Sequence, residues 1–128
     1  MTNELETFQA KASIVQVIVK ALQDKLGRHI VTMDLSHLPS APTDTFVICH
    51  GGSDRQVEAL ADAVEKQVRI HQQEKPYHRE GTDTKEWILL DYVNVVVHIF
   101  QKQKRDFYAL EELWGDATAE YYNSEEDE

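Results

Sequence analysis

The chain has 128 residues, 41% of them apolar and 9% aromatic, with only 5 Gly and 3 Pro. That is the size of one compact domain, with enough apolar side chain to bury about two thirds of its unfolded surface, so disorder along most of its length is excluded. The formal charge is −10, and six acids without a base fall at 115–128, leaving 17 acids against 13 bases elsewhere. An acidic surface repels phosphate backbones and anionic headgroups, which disfavours a broad electrostatic binder of nucleic acid or membrane and leaves a protein or small-molecule partner. No apolar run approaches the ~18 residues needed to cross a bilayer. The single Cys49 has no internal disulfide partner, and the opening Met-Thr-Asn-Glu-Leu-Glu lacks the basic start and apolar stretch of a secretory signal. A cytoplasmic protein is expected.

Phe8, Ala12, Val15, Val19, Leu22 and Leu26 recur at steps of four and three, which predicts a helix closed by Gly27 at its C′ position. Ile14, Val17, Ile18 and Ala21 widen its apolar stripe enough to pack on a sheet. From His29 to Leu35, Val31, Met33 and Leu35 alternate with Thr32 and Asp34, the period of a strand. Two prolines in Leu38-Pro39-Ser40-Ala41-Pro42 then break the pattern. Thr45 to Cys49 is a continuous apolar run of strand length, as expected for a central strand covered on both faces. After Gly51-Gly52, Ser53 and Gln56 have capping-box spacing, and Val57, Leu60, Ala61, Val64 and Val68 mark the inner face of a helix to about residue 73. Tyr77 to Glu80 follows Pro76 and reads as a short edge strand. Trp87–Tyr92 and Asn94–Phe100 read as a hairpin, although Val93 is a poor turn residue. Phe107, Leu110, Leu113 and Trp114 predict a short final helix closed by Gly115. The reading is thus a single domain over 1–115 and an acidic, disordered tail over 116–128. The element order implies an α/β fold with a mixed sheet of about five strands covered by helices.

Catalytic chemistry finds little support. Gly51-Gly52-Ser53 between a strand and a helix could expose backbone N–H groups to phosphate. It has neither the GxGxxG nor the GxxxxGK spacing, and Asp54 adds a negative charge, so a tight turn with Ser53 as N-cap is the better reading. Ser53 also lacks the G-x-S-x-G elbow of a hydrolase. The six histidines, His29, His37, His50, His71, His78 and His98, show no H-x-x-x-H pair, and no D-x-D falls on a predicted strand, so neither a metal site nor a cofactor is expected. In the hairpin, Ile88, Leu90 and Tyr92 share one face of the first strand, and Trp87, Leu89 and Asp91 the other. One face must meet the helices. The other is free to present Trp87 or Tyr92 to a partner, unless Trp87 packs beneath a helix or loop of its own.

Five blocks in one order, Asp44–Cys49, Gly52–Val57 with Ala59–Val64, Trp87–Tyr92, Val96–Phe100 and Arg105–Trp114, resemble the ribosomal silencing factor family (RsfS, also called Iojap or YbeB) over about residues 8–115. The resemblance implies a nucleotidyltransferase-like fold without the catalytic carboxylates, in keeping with the missing D-x-D. It implies a non-enzymatic factor that binds the large ribosomal subunit through its protein fourteen, blocks joining of the small subunit and represses translation when nutrients are short. Carried over by position, Trp87, Leu90, Asp91, Tyr92 and His98 are the expected partner-binding residues. Where the family usually has Gly-Asp in the hairpin turn, this chain has Val93-Asn94. The alternative is a nucleotide-binding, nucleotidyltransferase-like enzyme using the Gly51–Ser53 turn. A homodimeric module joined through an edge strand is a third reading, and it is compatible with ribosome binding.

Overall fold

The computed structural model describes residues 13–122. Helix α1 (Ile14–Asp24) opens on a capping box: Ser13 Oγ accepts from Gln16 N at 3.1 Å, and Gln16 Oε1 accepts from Ser13 N at 2.8 Å. Phe8 and Ala12, expected on the same stripe, lie outside the described residues. At the other end Leu26, not Gly27, takes the left-handed conformation (φ 62°). Leu26 N donates to Gln23 O and Gly27 N to Leu22 O, the paired bonds of a Schellman motif. Gly27 is needed for closeness instead: a Cβ there would lie 3.1 Å from Leu22 O and 3.3 Å from Leu60 Cδ2.

Strand β1 (Arg28–Asp34) pairs antiparallel with β2 (Thr45–Gly51), with a bulge between Arg28 and Val31. Helix α2 (Asp54–Gln72) follows. Ser53 Oγ caps Gln56 N, but the Gln56 carbonyl turns to Gly52 N at 2.7 Å, while its amide donates to Lys25 O and Leu26 O. The start of α2 is thereby tied to the end of α1. Strands β3 (His78–Glu80) and β4 (Trp87–Asp91) precede β5 (Val95–Gln101), which lies parallel to β2. Arg79 of β3 anchors that edge to α2 through Glu65 at 2.6 Å and Asp62 at 3.0 Å.

The sheet has six strands in the order β3-β4-β5-β2-β1-β6, one more than expected, and β2–β5 is its parallel pair. The extra strand, β6 (Thr118–Tyr122), takes residues 118–122 out of the disordered tail expected at 116–128, whose residues 123–128 lie outside the described residues: it pairs antiparallel with β1 from Asp34↔Thr118 to Ile30↔Tyr122. Its lack of an apolar period concealed two anchors, a full backbone ladder and Tyr122, which packs on the core with its hydroxyl 3.5 Å from Thr32 Oγ1. The predicted final helix is also different. It begins earlier, as α3 (Lys102–Tyr108), breaks at Ala109 (φ 48°), and resumes as the single turn α4 (Leu110–Leu113). The break swings Phe107 and Leu113 outward, 76% and 70% exposed, and only Leu110 and Trp114 of the expected stripe pack inward.

The two faces of the sheet carry two cores. Helices α1 and α2 cover one, burying Ile18, Leu22, Leu60 and Val64 against Ile30, Val47, Cys49, Leu90, Val97 and Ile99. On the other, Val31, Met33, Phe46, Ile48 and Phe100 are covered by Leu35, Leu38 and Ala41 of the loop after β1 and by Leu110 and Trp114. Over β4 the cover is partial, leaving Trp87 and Leu89 only partly buried. Among the described residues no helix is long and apolar enough to cross a membrane.

Candidate functional site

Strict alternation along β4 sends Ile88 and Leu90 under the helices, while Trp87, Leu89 and Asp91 line the opposite face and stay half-exposed. The hairpin partner β5 is buried on both faces from Val95 to Phe100. Between Trp87 and Phe100, the polar and aromatic groups of the ribbon therefore reach solvent along that one row of β4 and at its turn.

The five expected partner-binding residues divide accordingly. Trp87 and Asp91 lie in the half-exposed row. Leu90 (0% exposed) and Tyr92 (6%) belong to the helix-side core, which corrects the expectation that they contribute surface. Burial also raises the Tyr92 hydroxyl far above its usual value, with nearby Glu65 and Glu74 adding to the effect. His98 is on the same face as Trp87 but beneath it, 4% exposed, so it too is removed from the surface. Its ring meets Phe46 edge-on at 4.5 Å.

Trp87 is held from several sides. Its Nε1–H donates to His98 Nδ1 at 3.1 Å, and its ring stacks on Phe100 at 4.9 Å. The turn before β4 presses on its backbone: Gly81 has φ 89°, and a Cβ there would fall 1.8 Å from Trp87 O, so no other residue fits without moving the strand. Burial drives the His98 imidazole down to about 3, keeping it neutral. An indole nitrogen can only donate, so His98 accepts at Nδ1 and carries its proton on Nε2, a buried N–H without a partner among the described residues.

Sequence reasoning missed the rim of this surface. Tyr108 of α3 lies 4.6 Å from the Trp87 ring and is 44% exposed, and Phe107 meets Tyr108 edge-on at 5.1 Å. With Trp87 they form an aromatic patch at one end of the row that runs through Leu89 to Asp91. A signal existed in the adjacency of Phe107 and Tyr108, since neighbouring helical residues cannot both point into one core.

The Arg105–Trp114 block has a structural centre. The Arg105 guanidinium is 7% exposed and fans out to Glu111 at 2.9 and 3.1 Å, His50 Nδ1 at 2.8 Å and Arg28 O at 3.3 Å. It locks α3 and α4 to β1 and β2, which places Tyr108 against Trp87. His50 is lowered to about 4 by burial and by the positive charge of Arg105.

The Gly51–Ser53 turn borders a cleft of about 1210 Å³ that mixes Arg28, Arg55, Lys85 and Lys102 with Asp54, Glu58 and Asp106. Lys85 pairs with Glu58 at 3.3 Å, Lys102 pairs with Asp106 at 2.9 Å, and Asp54 accepts from the Gln101 amide. The turn's N–H groups at Gly52 and Gln56 are already taken by side chains, as expected of a capped turn. Among the described residues no three His, Cys, Asp or Glu side chains gather to hold a metal ion.

A mixed sheet sealed by helices on one side, with the partly exposed row of Trp87, Leu89 and Asp91 on the other, defines an α/β protein. Residues 8–128 match the family model described as ribosomal silencing factor during starvation (RsfS), and the chain belongs to that family. It is 41% identical over 107 residues to the ribosomal silencing factor RsfS of Bacillus subtilis, covering 82% of this chain and 87% of the relative. It is 34% identical over 102 residues to a mouse protein named for mitochondrial assembly of the ribosomal large subunit, covering 78% of this chain and 44% of that one. A crystal structure of a Chromobacterium violaceum protein superposes with a TM-score of 0.75 at 35% identity, covering 80% of this chain and 83% of that one. The family match runs beyond the expected limit near residue 115 and takes in β6.

Proposed function

We propose that this chain is a translation repressor that acts in the cytoplasm by occupying the large ribosomal subunit. It docks through ribosomal protein fourteen, stands where the small subunit must enter, and performs no catalysis. The half-exposed row of Trp87, Leu89 and Asp91, rimmed by Tyr108, is the observation that carries this reading. Aromatic anchors beside an acid suit a protein partner of opposite charge, and ribosomal proteins are commonly basic. The net charge of −10 hastens the encounter, and the apolar row prolongs the contact.

Sedimentation of the purified protein with separated ribosomal subunits tests this. It should co-migrate with the large subunit, and whole ribosomes should diminish as it is added. Migration with neither subunit refutes the reading. Binding to isolated ribosomal protein fourteen, lost in Trp87→Ala, identifies the receptor.

A further inference from the structure

The turn at the end of β4 holds a residue whose side chain its own fold does not require. Val93 has φ 76°, a region that β-branched side chains avoid and glycine enters freely. Asn94 N donates to Tyr92 O at 2.9 Å, which closes a three-residue turn around Val93 in its rare, strained form. Both flanking peptide groups are clamped: Val93 N donates to Asp91 Oδ1 at 2.7 Å, and Val93 O accepts from the buried Thr43 hydroxyl at 2.7 Å. Yet the side chain kept in this conformation does little inside the molecule, being 59% exposed and absent from both cores. Strain of this kind persists where the surroundings over-determine it, and it concentrates at contact sites.

We propose that Val93 is a specificity-determining contact, its isopropyl group carried on the strained turn into an apolar depression on the same large-subunit protein that receives Trp87. This rests on the docking reading above. Asp91 joins the two ends: it belongs to the half-exposed row that begins at Trp87, and its carboxylate fixes the Val93 amide. The docking face is therefore continuous along β4 and over its turn. Val93 supplies an aliphatic contact that a glycine in the same backbone would lack.

The test uses the full chain with large ribosomal subunits, comparing Val93→Gly, Val93→Asn and Val93→Ile beside Trp87→Ala. Gly and Asn both accept this backbone, so each variant should melt at or above the wild-type temperature. Each should also bind large subunits roughly tenfold more weakly, the factor for one valine left unburied. Val93→Ile should bind within about twofold of wild type. If Val93→Gly and Val93→Asn bind as tightly as wild type while Trp87→Ala is weakened, the inference falls and the docking reading stands. If Trp87→Ala also binds normally, both fall. Lower melting temperatures for both Val93→Gly and Val93→Asn would show that the side chain serves the fold, and altered self-association by light scattering would assign it to a second copy. Either result overturns the proposal.

Discussion

The indole N–H of Trp87 and the Nδ1 of His98 meet at 3.1 Å across two neighbouring strands, the first half-exposed and the second buried. The buried partner has one ring nitrogen committed to Trp87 and the other without an acceptor among the described residues. His98 thus orients the exposed ring at the expense of an unsatisfied N–H.

Replacing His98 with Leu removes two terms of opposite sign: a useful acceptor and a costly orphan donor. Each is worth about 1–3 kcal/mol, so the net change in stability should stay within about 1 kcal/mol. Binding to large subunits should still fall several-fold, because the Trp87 ring loses its fixed orientation. Thermal melting and subunit sedimentation on the same preparation check both halves.

Trp87→Ala should weaken subunit binding by about 2 kcal/mol, as for a central aromatic anchor, and leave a cooperative melt. Tyr108→Ala should act in the same direction and more weakly. Leu90→Ala is the contrast. Fully buried under the helices, it should cost about 2–5 kcal/mol of stability, and its folded fraction should bind normally. Urea unfolding beside binding titrations separates the two kinds of loss.

Arg105→Met should cost about 2–3 kcal/mol, because it breaks a buried pair with Glu111 and leaves His50 Nδ1 without its donor. Arg105→Lys should recover little of this, since one ammonium cannot reach Glu111, His50 and the Arg28 carbonyl together. Circular dichroism melts give the size of the loss. A wild-type melt in either variant would count against the hub.

Acid should unfold the protein in a window set by two histidines. In the folded chain His98 titrates at about 3 and His50 at about 4, both depressed chiefly by burial, against ~6.5 when unfolded. The unfolded chain thus binds protons that the folded chain refuses. The contribution is complete above about pH 6.5 and is lost as pH falls from there toward 4 and then 3, at up to about 1.4 kcal/mol per pH unit for each histidine. Urea midpoints measured from pH 7 to pH 4 should fall accordingly, and His98→Leu should flatten the slope by about half.

Much of the fold was legible because period and composition agreed. The alternation of Val31, Met33 and Leu35, the unbroken run Thr45–Cys49 and the spacing from Val57 to Val68 each admit one reading. The alternation along β4 also separated Trp87, Leu89 and Asp91 from Ile88, Leu90 and Tyr92. It could not say which row the helices would cover, since both carry bulky groups. Leu90 and Tyr92 stood among the expected contacts because the family resemblance was carried over by position, without regard to the row each residue occupies. His98 illustrates a second limit: its residue type suits a surface, and only the packing of Phe46 and Trp87 over it makes it a buried support. β6 escaped notice because an edge strand with four exposed residues needs no apolar period when a neighbour supplies its backbone bonds. Leu26 holds the left-handed position expected of Gly27, and Ala109 holds another inside the predicted final helix, which still closes at Trp114 just before Gly115.

The pairing of β1 with β6 sets a timetable for synthesis. Thr32 and Tyr122 stand 90 positions apart, so β1 emerges from the exit tunnel long before the strand that will border it. Until then its outer row of amides and carbonyls lies bare, open to mispairing with any extended chain nearby. A nascent chain halted before residue 118 would keep that margin unfinished and should draw chaperones more strongly than the completed polypeptide.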